Sequence, residues 1–135
     1  MIKKKFFISS FFILLIFLFD RVSKTYVIYF NDKLLGSEIF SSKYLNIDLI
    51  WNEGIAFGLF SFSQSNLYNL ITLIIVMIIF FILTLIIKSE GLERISLSMV
   101  FGGALGNLYD RIMYKAVPDF IDFHIRDLHW FIFNV

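Results

Sequence analysis

The chain has 135 residues, 59% of them hydrophobic, and a formal net charge of +1. Soluble domains are only about 45–50% apolar, so this composition belongs with membrane proteins, and the near-neutral charge gives no support to a nucleic-acid partner. With no Cys and two His, disulfides, thiolate metal sites and cysteine nucleophiles are excluded, and a zinc site would need both His plus a carboxylate, for which no His-Glu-x-x-His pattern exists.

Lys3-Lys4-Lys5 precede an apolar run from Phe6 to Phe19, broken only by Ser9-Ser10. A basic start and an apolar run resemble a signal peptide, but no small-x-small cleavage site follows. The segment therefore reads as a retained transmembrane helix over 6–28, with its N-terminus in the cytoplasm by the positive-inside rule. Residues 31–65 are an extracytoplasmic stretch. Asn31-Asp32-Lys33 is turn-prone, and Tyr44–Ile50 alternates apolar and polar residues, as a short strand does. Gly54 and Gly58 mark bends or close backbone approaches.

Residues 67–87 are nearly all Ile, Leu, Phe, Val and Met, about the length that spans a bilayer. A charged cytoplasmic turn follows over 88–94, then a third span over 95–112. There Gly102 and Gly106 are spaced for close helix packing in lipid. Residues 113–135 return to the extracytoplasmic side, where Trp130 and its neighbours suit the membrane interface. The expected fold is one polytopic membrane domain, an all-α bundle of three spans with a small extracytoplasmic β module.

Four polar words interrupt this apolar text: Asp20-Arg21-Val22-Ser23-Lys24, Asn52-Glu53-Gly54-Ile55-Ala56-Phe57-Gly58, Gly102 through Arg111, and Val117-Pro118-Asp119-Phe120-Ile121-Asp122-Phe123. Ionisable groups in or beside lipid are costly and mark functional sites. Asp20 and Lys24 stand one helical turn apart and read first as a structural ion pair. In the third helix Gly103, Asn107 and Asp110 share a face, with Arg111 beside them. That face either holds carbonyls of a substrate or glues helices together, with Asp110 and Arg111 as a pair. A carboxylate at Asp119, framed by Val117, Phe120 and Ile121, should titrate above its usual range and serve as a general acid or base. Asp119 and Asp122 share a face only in a helix, which Pro118 argues against. No serine-hydrolase elbow or phosphate loop is present.

Together the words resemble the bacterial lipoprotein signal peptidase family, also called signal peptidase II. They occur in the family's order along the chain from Asp20 to Val135: Asp-x-x-x-Lys, Asn-x-Gly-x-Ala-Phe, Gly-Gly-Ala-x-Gly-Asn-x-x-Asp-Arg and Val-x-Asp-Phe. Trp130 to Val135 looks like the start of a fifth. The resemblance implies an aspartic endopeptidase of the bacterial inner membrane, working near its outer face without metal or organic cofactor. Its partner would be a prolipoprotein whose Cys carries diacylglycerol, cut just before that Cys. By the same resemblance Asp119 is a catalytic aspartate. Asn52, Asn107 and Arg111 are substrate-pocket residues, Asp20, Lys24 and Asp110 are structural, and residues 44–58 belong to an extracytoplasmic β-cradle.

Arg21, where the family often has Gln, and Pro118 are mild departures. The second catalytic aspartate is expected two residues past Val135, followed by a fourth helix. The 135 residues alone therefore carry half a catalytic pair and are expected to be inactive as they stand. Two other readings remain: a small transporter or channel subunit, and an inactive homologue that binds signal peptides.

Overall fold

The computed structural model describes residues 2–54, 65–125 and 128–135. Ile55 to Gly58 of the Asn52 word, and Arg126-Asp127, lie outside the described residues. Among the described residues there are three helices and a four-stranded sheet: α1 (Ile2–Lys33), β1 (Phe40–Ser41), β2 (Leu45–Asn52), α2 (Ser65–Lys88), α3 (Gly91–Tyr114), β3 (Val117–Ile125) and β4 (Leu128–Phe133).

All three helices run longer than their apolar text. The turn-prone Asn31-Asp32-Lys33 forms the last turn of α1. The helix stops only where Leu35 and Gly36 take left-handed backbone (φ 54° and 79°) and the Gly36 N–H donates back to Asn31 O at 2.9 Å. The charged stretch expected as a turn over 88–94 shrinks to Ser89-Glu90, because α3 begins at Gly91. Arg94 makes this tight corner possible. Its guanidinium reaches back to Ser89 O at 2.8 Å and Ile87 O at 3.0 Å, satisfying carbonyls that the end of α2 leaves open.

Two helices, α1 and α2, are long and apolar enough to cross a membrane. Their large side chains point outward: Phe7, Phe19, Ile78 and Phe80 are all more than half exposed. Polar groups are instead buried where α3 packs on α1. That inside-out arrangement suits hydrocarbon, in which van der Waals fit and paired polar groups hold helices together. Helix α3 packs on both α1 and α2. Along its α1 face a four-residue stripe, Ser98, Gly102, Gly106 and Asp110, is buried. A Cβ on Gly102 would come within 2.6 Å of Ile13 O, and one on Gly106 would fall on the Asp20 carboxylate. Contacts advance together along both helices, from Ile13 with Gly102 to Lys24 with Asp110, so α1 and α3 run parallel. Lys5 pairs with Glu90 at the opposite end.

The sheet, in order β1-β2-β3-β4 and antiparallel throughout, joins the ends of α1 and α3. Strands β3 and β4 supply half of it, where no strand is expected from the sequence. One irregularity in β2 redirects its last residues. Ile47 opposes Ile121 but Ile50 opposes Asp119, so β2 carries one extra residue there. Such a bulge reverses which face later side chains occupy. Simple alternation would put Asn52 on the face of Asn46; after the bulge it shares the face of Val117 and Asp119.

Candidate active site

Asn52, Asn107, Arg111 and Asp119 line one cavity of about 400 Å³, with Ile75, Ala104, Val117 and the last four residues of the chain. It opens where β2, β3 and the outer turn of α3 meet. Ala104, Asn107 and Arg111 recur at helical spacing, so α3 shows one stripe to the cavity and another, Gly102-Gly106-Asp110, to α1.

Asp119 is 5% exposed and accepts an amide donor on each oxygen. Asn52 Nδ2 donates to Oδ2 at 2.8 Å and Asn134 Nδ2 donates to Oδ1. The Asn52 side chain is itself set by the Gly54 N–H, which donates to its carbonyl at 2.9 Å. Burial pushes the Asp119 carboxyl up from its ordinary value of 3.8. The Asn134 and Asn52 donors, then the charges of Lys24 and Arg111, oppose that rise only in part.

Arg111 is buried, with its guanidinium 5.5 Å from the centre of the Tyr68 ring. Its Nη2 donates to Gly54 O, while Nη1 is buried and meets no acceptor among the described residues. The Asp110–Arg111 pair of the helix-glue alternative does not form; Asp110 pairs with Arg21 and Lys24. Neighbours on a helix point about 100° apart, and Asp110 turns to α1 instead.

There it meets a closed cluster of charges. Asp20, Lys24 and Asp110 are at most 1% exposed. Lys24 Nζ lies 2.7 Å from Asp20 Oδ1 and 2.7 Å from Asp110 Oδ2, and donates at 2.7 Å to Asn107 Oδ1. Lysine has only donors, so the atom it meets on Asn107 must be the carbonyl. The Asn107 amide nitrogen is thereby turned away from Lys24, and Asn107 lines the cavity.

Asp122 pairs across the sheet with Asn46 and Ile132, and it does not line the cavity. The extended form of β3 is the reason, since positions three apart on a strand face opposite ways. Among the described residues no three His, Asp or Glu converge as a metal site would require.

Two residues of this arrangement were not singled out by sequence. Arg21 looked like a mild departure, yet it bridges Asp20 and Asp110. A charge inside an apolar run was the signal available. Asn134 stood only as part of a fragmentary word, and nothing local ties it to Asp119.

The family model described as signal peptidase (SPase) II matches residues 12–135. A lipoprotein signal peptidase of Pelagibacter ubique (strain HTCC1062) is 46% identical over 132 residues, covering 98% of this chain and 80% of the relative. One from Aquifex aeolicus (strain VF5) is 37% identical over 123 residues, covering 89% of this chain and 71% of the relative. A solved structure described as a bacterial membrane enzyme superposes with a TM-score of 0.71 at 30% identity, covering 93% of this chain and 76% of that one.

Proposed function

The chain belongs to the signal peptidase II family, and from that premise we propose that it is an aspartic endopeptidase. It removes signal peptides from diacylglyceryl-modified prolipoproteins by cutting just before the lipidated Cys. Asp119 is its catalytic carboxylate, and Asn52, Asn107 and Arg111 hold the substrate.

The observation that carries this reading is the setting of Asp119. It is buried in a cavity at the sheet end of the helices, hydrogen-bonded by an amide on each oxygen and shifted up from 3.8. A carboxyl brought toward neutrality can exchange a proton with the attacking water and the departing amine. Arg111, whose Nη1 meets no acceptor among the described residues, and Asn107 bring donors to the same cavity. They suit the carbonyls of an extended peptide or of a lipid ester. The partner carboxylate is the one the resemblance places two residues past Val135. Val135 lines the cavity with Asp119, and two residues of extended chain reach roughly 7 Å.

The protein sits in the bacterial inner membrane with α1, α2 and α3 as spans and its N-terminus in the cytoplasm. The Lys3–Lys5 cluster supports that orientation. Asp20 lies 15 residues beyond Lys5, about 22 Å along α1 in a hydrocarbon core about 30 Å thick. That depth carries the sheet and the cavity to the outer face. The charges that suggested a transport pathway are paired with one another, which favours the peptidase reading.

The test is cleavage of a diacylglyceryl-cysteine prolipoprotein by protein expressed from its own gene in liposomes. Asp119→Asn is expected to abolish cleavage, and cleavage by folded Asp119→Asn protein would remove Asp119 from catalysis.

A further inference from the structure

The charge cluster between α1 and α3 holds a cation that the proposed chemistry does not use. Arg21 Nε donates to Asp20 Oδ2 at 2.9 Å, and its two terminal nitrogens grip the Asp110 carboxylate at 2.6 and 2.8 Å. Nη2 also donates to Gly106 O at 3.2 Å, and the guanidinium stacks 4.7 Å from the centre of the Tyr109 ring. The cluster thus contains two carboxylates, Asp20 and Asp110, and two cations, Arg21 and Lys24. Their charges cancel.

That cancellation bears on Asn107. The Lys24 ammonium is shared between two carboxylates and one neutral carbonyl, that of Asn107. A carboxylate attracts an ammonium far more strongly than an amide carbonyl does at low dielectric. The Asn107 bond survives because Arg21 already meets both acids. Without Arg21, two buried carboxylates would face one ammonium. Lys24, already 2.7 Å from each, would be held more strongly by both at the expense of its bond to the Asn107 carbonyl, and the Asn107 amide would be released to rotate.

We propose that Arg21 is a positioning residue for the cavity: it balances the buried acids so that Lys24 keeps donating to the Asn107 carbonyl and the Asn107 amide stays aimed at substrate. The proposal rests on the cavity being the substrate site.

A double-mutant cycle tests it, reading the affinity of detergent-solubilised protein for a synthetic diacylglyceryl-cysteine peptide. Arg21→Gln is expected to weaken binding about tenfold, the worth of one well-placed hydrogen bond to a charged or oriented group. In an Asn107→Ala background the same change should have no further effect. Adding Asp20→Asn to Arg21→Gln restores neutrality around Lys24 and should recover most of the affinity. Equal losses in both backgrounds, or no rescue by Asp20→Asn, would reduce Arg21 to a structural tie and overturn the proposal. If Arg21→Gln does not fold, Arg21→Lys, which keeps the charge, should bind the peptide about as tightly as the parent, and a tenfold loss in that folded variant would overturn the proposal. A parent protein that does not bind the peptide overturns the reading of the cavity itself, an outcome separable from the others.

Discussion

Asp119 takes one amide on each oxygen, and both amides favour its ionised form while burial opposes it more strongly. The balance has a measurable sign. A carboxyl held above 3.8 in the folded protein contributes stability that is fully present below that value and is lost as pH rises through the folded value. Thermal midpoints of wild type and Asp119→Asn should therefore diverge with pH: the wild-type advantage is greatest in acid and declines above the ordinary carboxylate range. Asn134→Ala removes a donor to the ionised form, so its decline should extend to higher pH than in wild type. An unchanged profile would show that Asn134 does not act on Asp119. Asp119→Asn also brings an amide nitrogen against one of the two amide donors. A loss of about 1–3 kcal/mol is expected from the unmatched hydrogen bond, so the cleavage assay needs its melting control.

The α1–α3 contact depends on glycines whose neighbours differ, though their text looks uniform. Gly102 and Gly106 face α1 across distances that leave no room for a methyl group, whereas Gly103 finds its nearest atoms at 3.9 and 4.0 Å. Gly102→Ala and Gly106→Ala should each lower the melting temperature in detergent. Gly106→Ala should do most damage, because it displaces a buried carboxylate and breaks a charge cluster worth about 3–5 kcal/mol to disrupt. Gly103→Ala should be neutral or slightly stabilising, since Ala favours helix over Gly by about 1 kcal/mol. Equal effects at all three positions would contradict the observed helix face. At the sheet, the bulge between Ile47 and Ile50 performs a similar selection, placing Asn52 rather than Asn46 on the face of Asp119.

Taken whole, the molecule is polarised along its helices, with Lys5 and Glu90 at one end and the charge cluster, cavity and sheet at the other. In the proposed topology the two ends lie on opposite sides of the membrane. The absence of Cys makes single introduced thiols unambiguous reporters. Ser42→Cys, in the β1–β2 turn, should react with a membrane-impermeant maleimide from outside intact cells. Leu92→Cys, 83% exposed at the start of α3, should react only after the membrane is opened. Labelling of both from the same side would overturn the three-span arrangement.

Local text was enough for the membrane character, for helices around 6–28, 67–87 and 95–112, and for the four polar words, because apolar length and periodicity are properties of neighbouring residues. It was enough, too, for the resemblance that singles out Asp119, Asn52, Asn107 and Arg111. The tertiary structure decided which of these meet. Asn52 reaches Asp119 only through a bulge in β2, Asn134 only because β4 pairs with β3, and Arg21 matters only because α1 lies parallel to α3. Such contacts join residues up to 89 positions apart. They are set by strand register and helix packing, which depend on how distant segments fit together and leave no periodic trace in either segment alone.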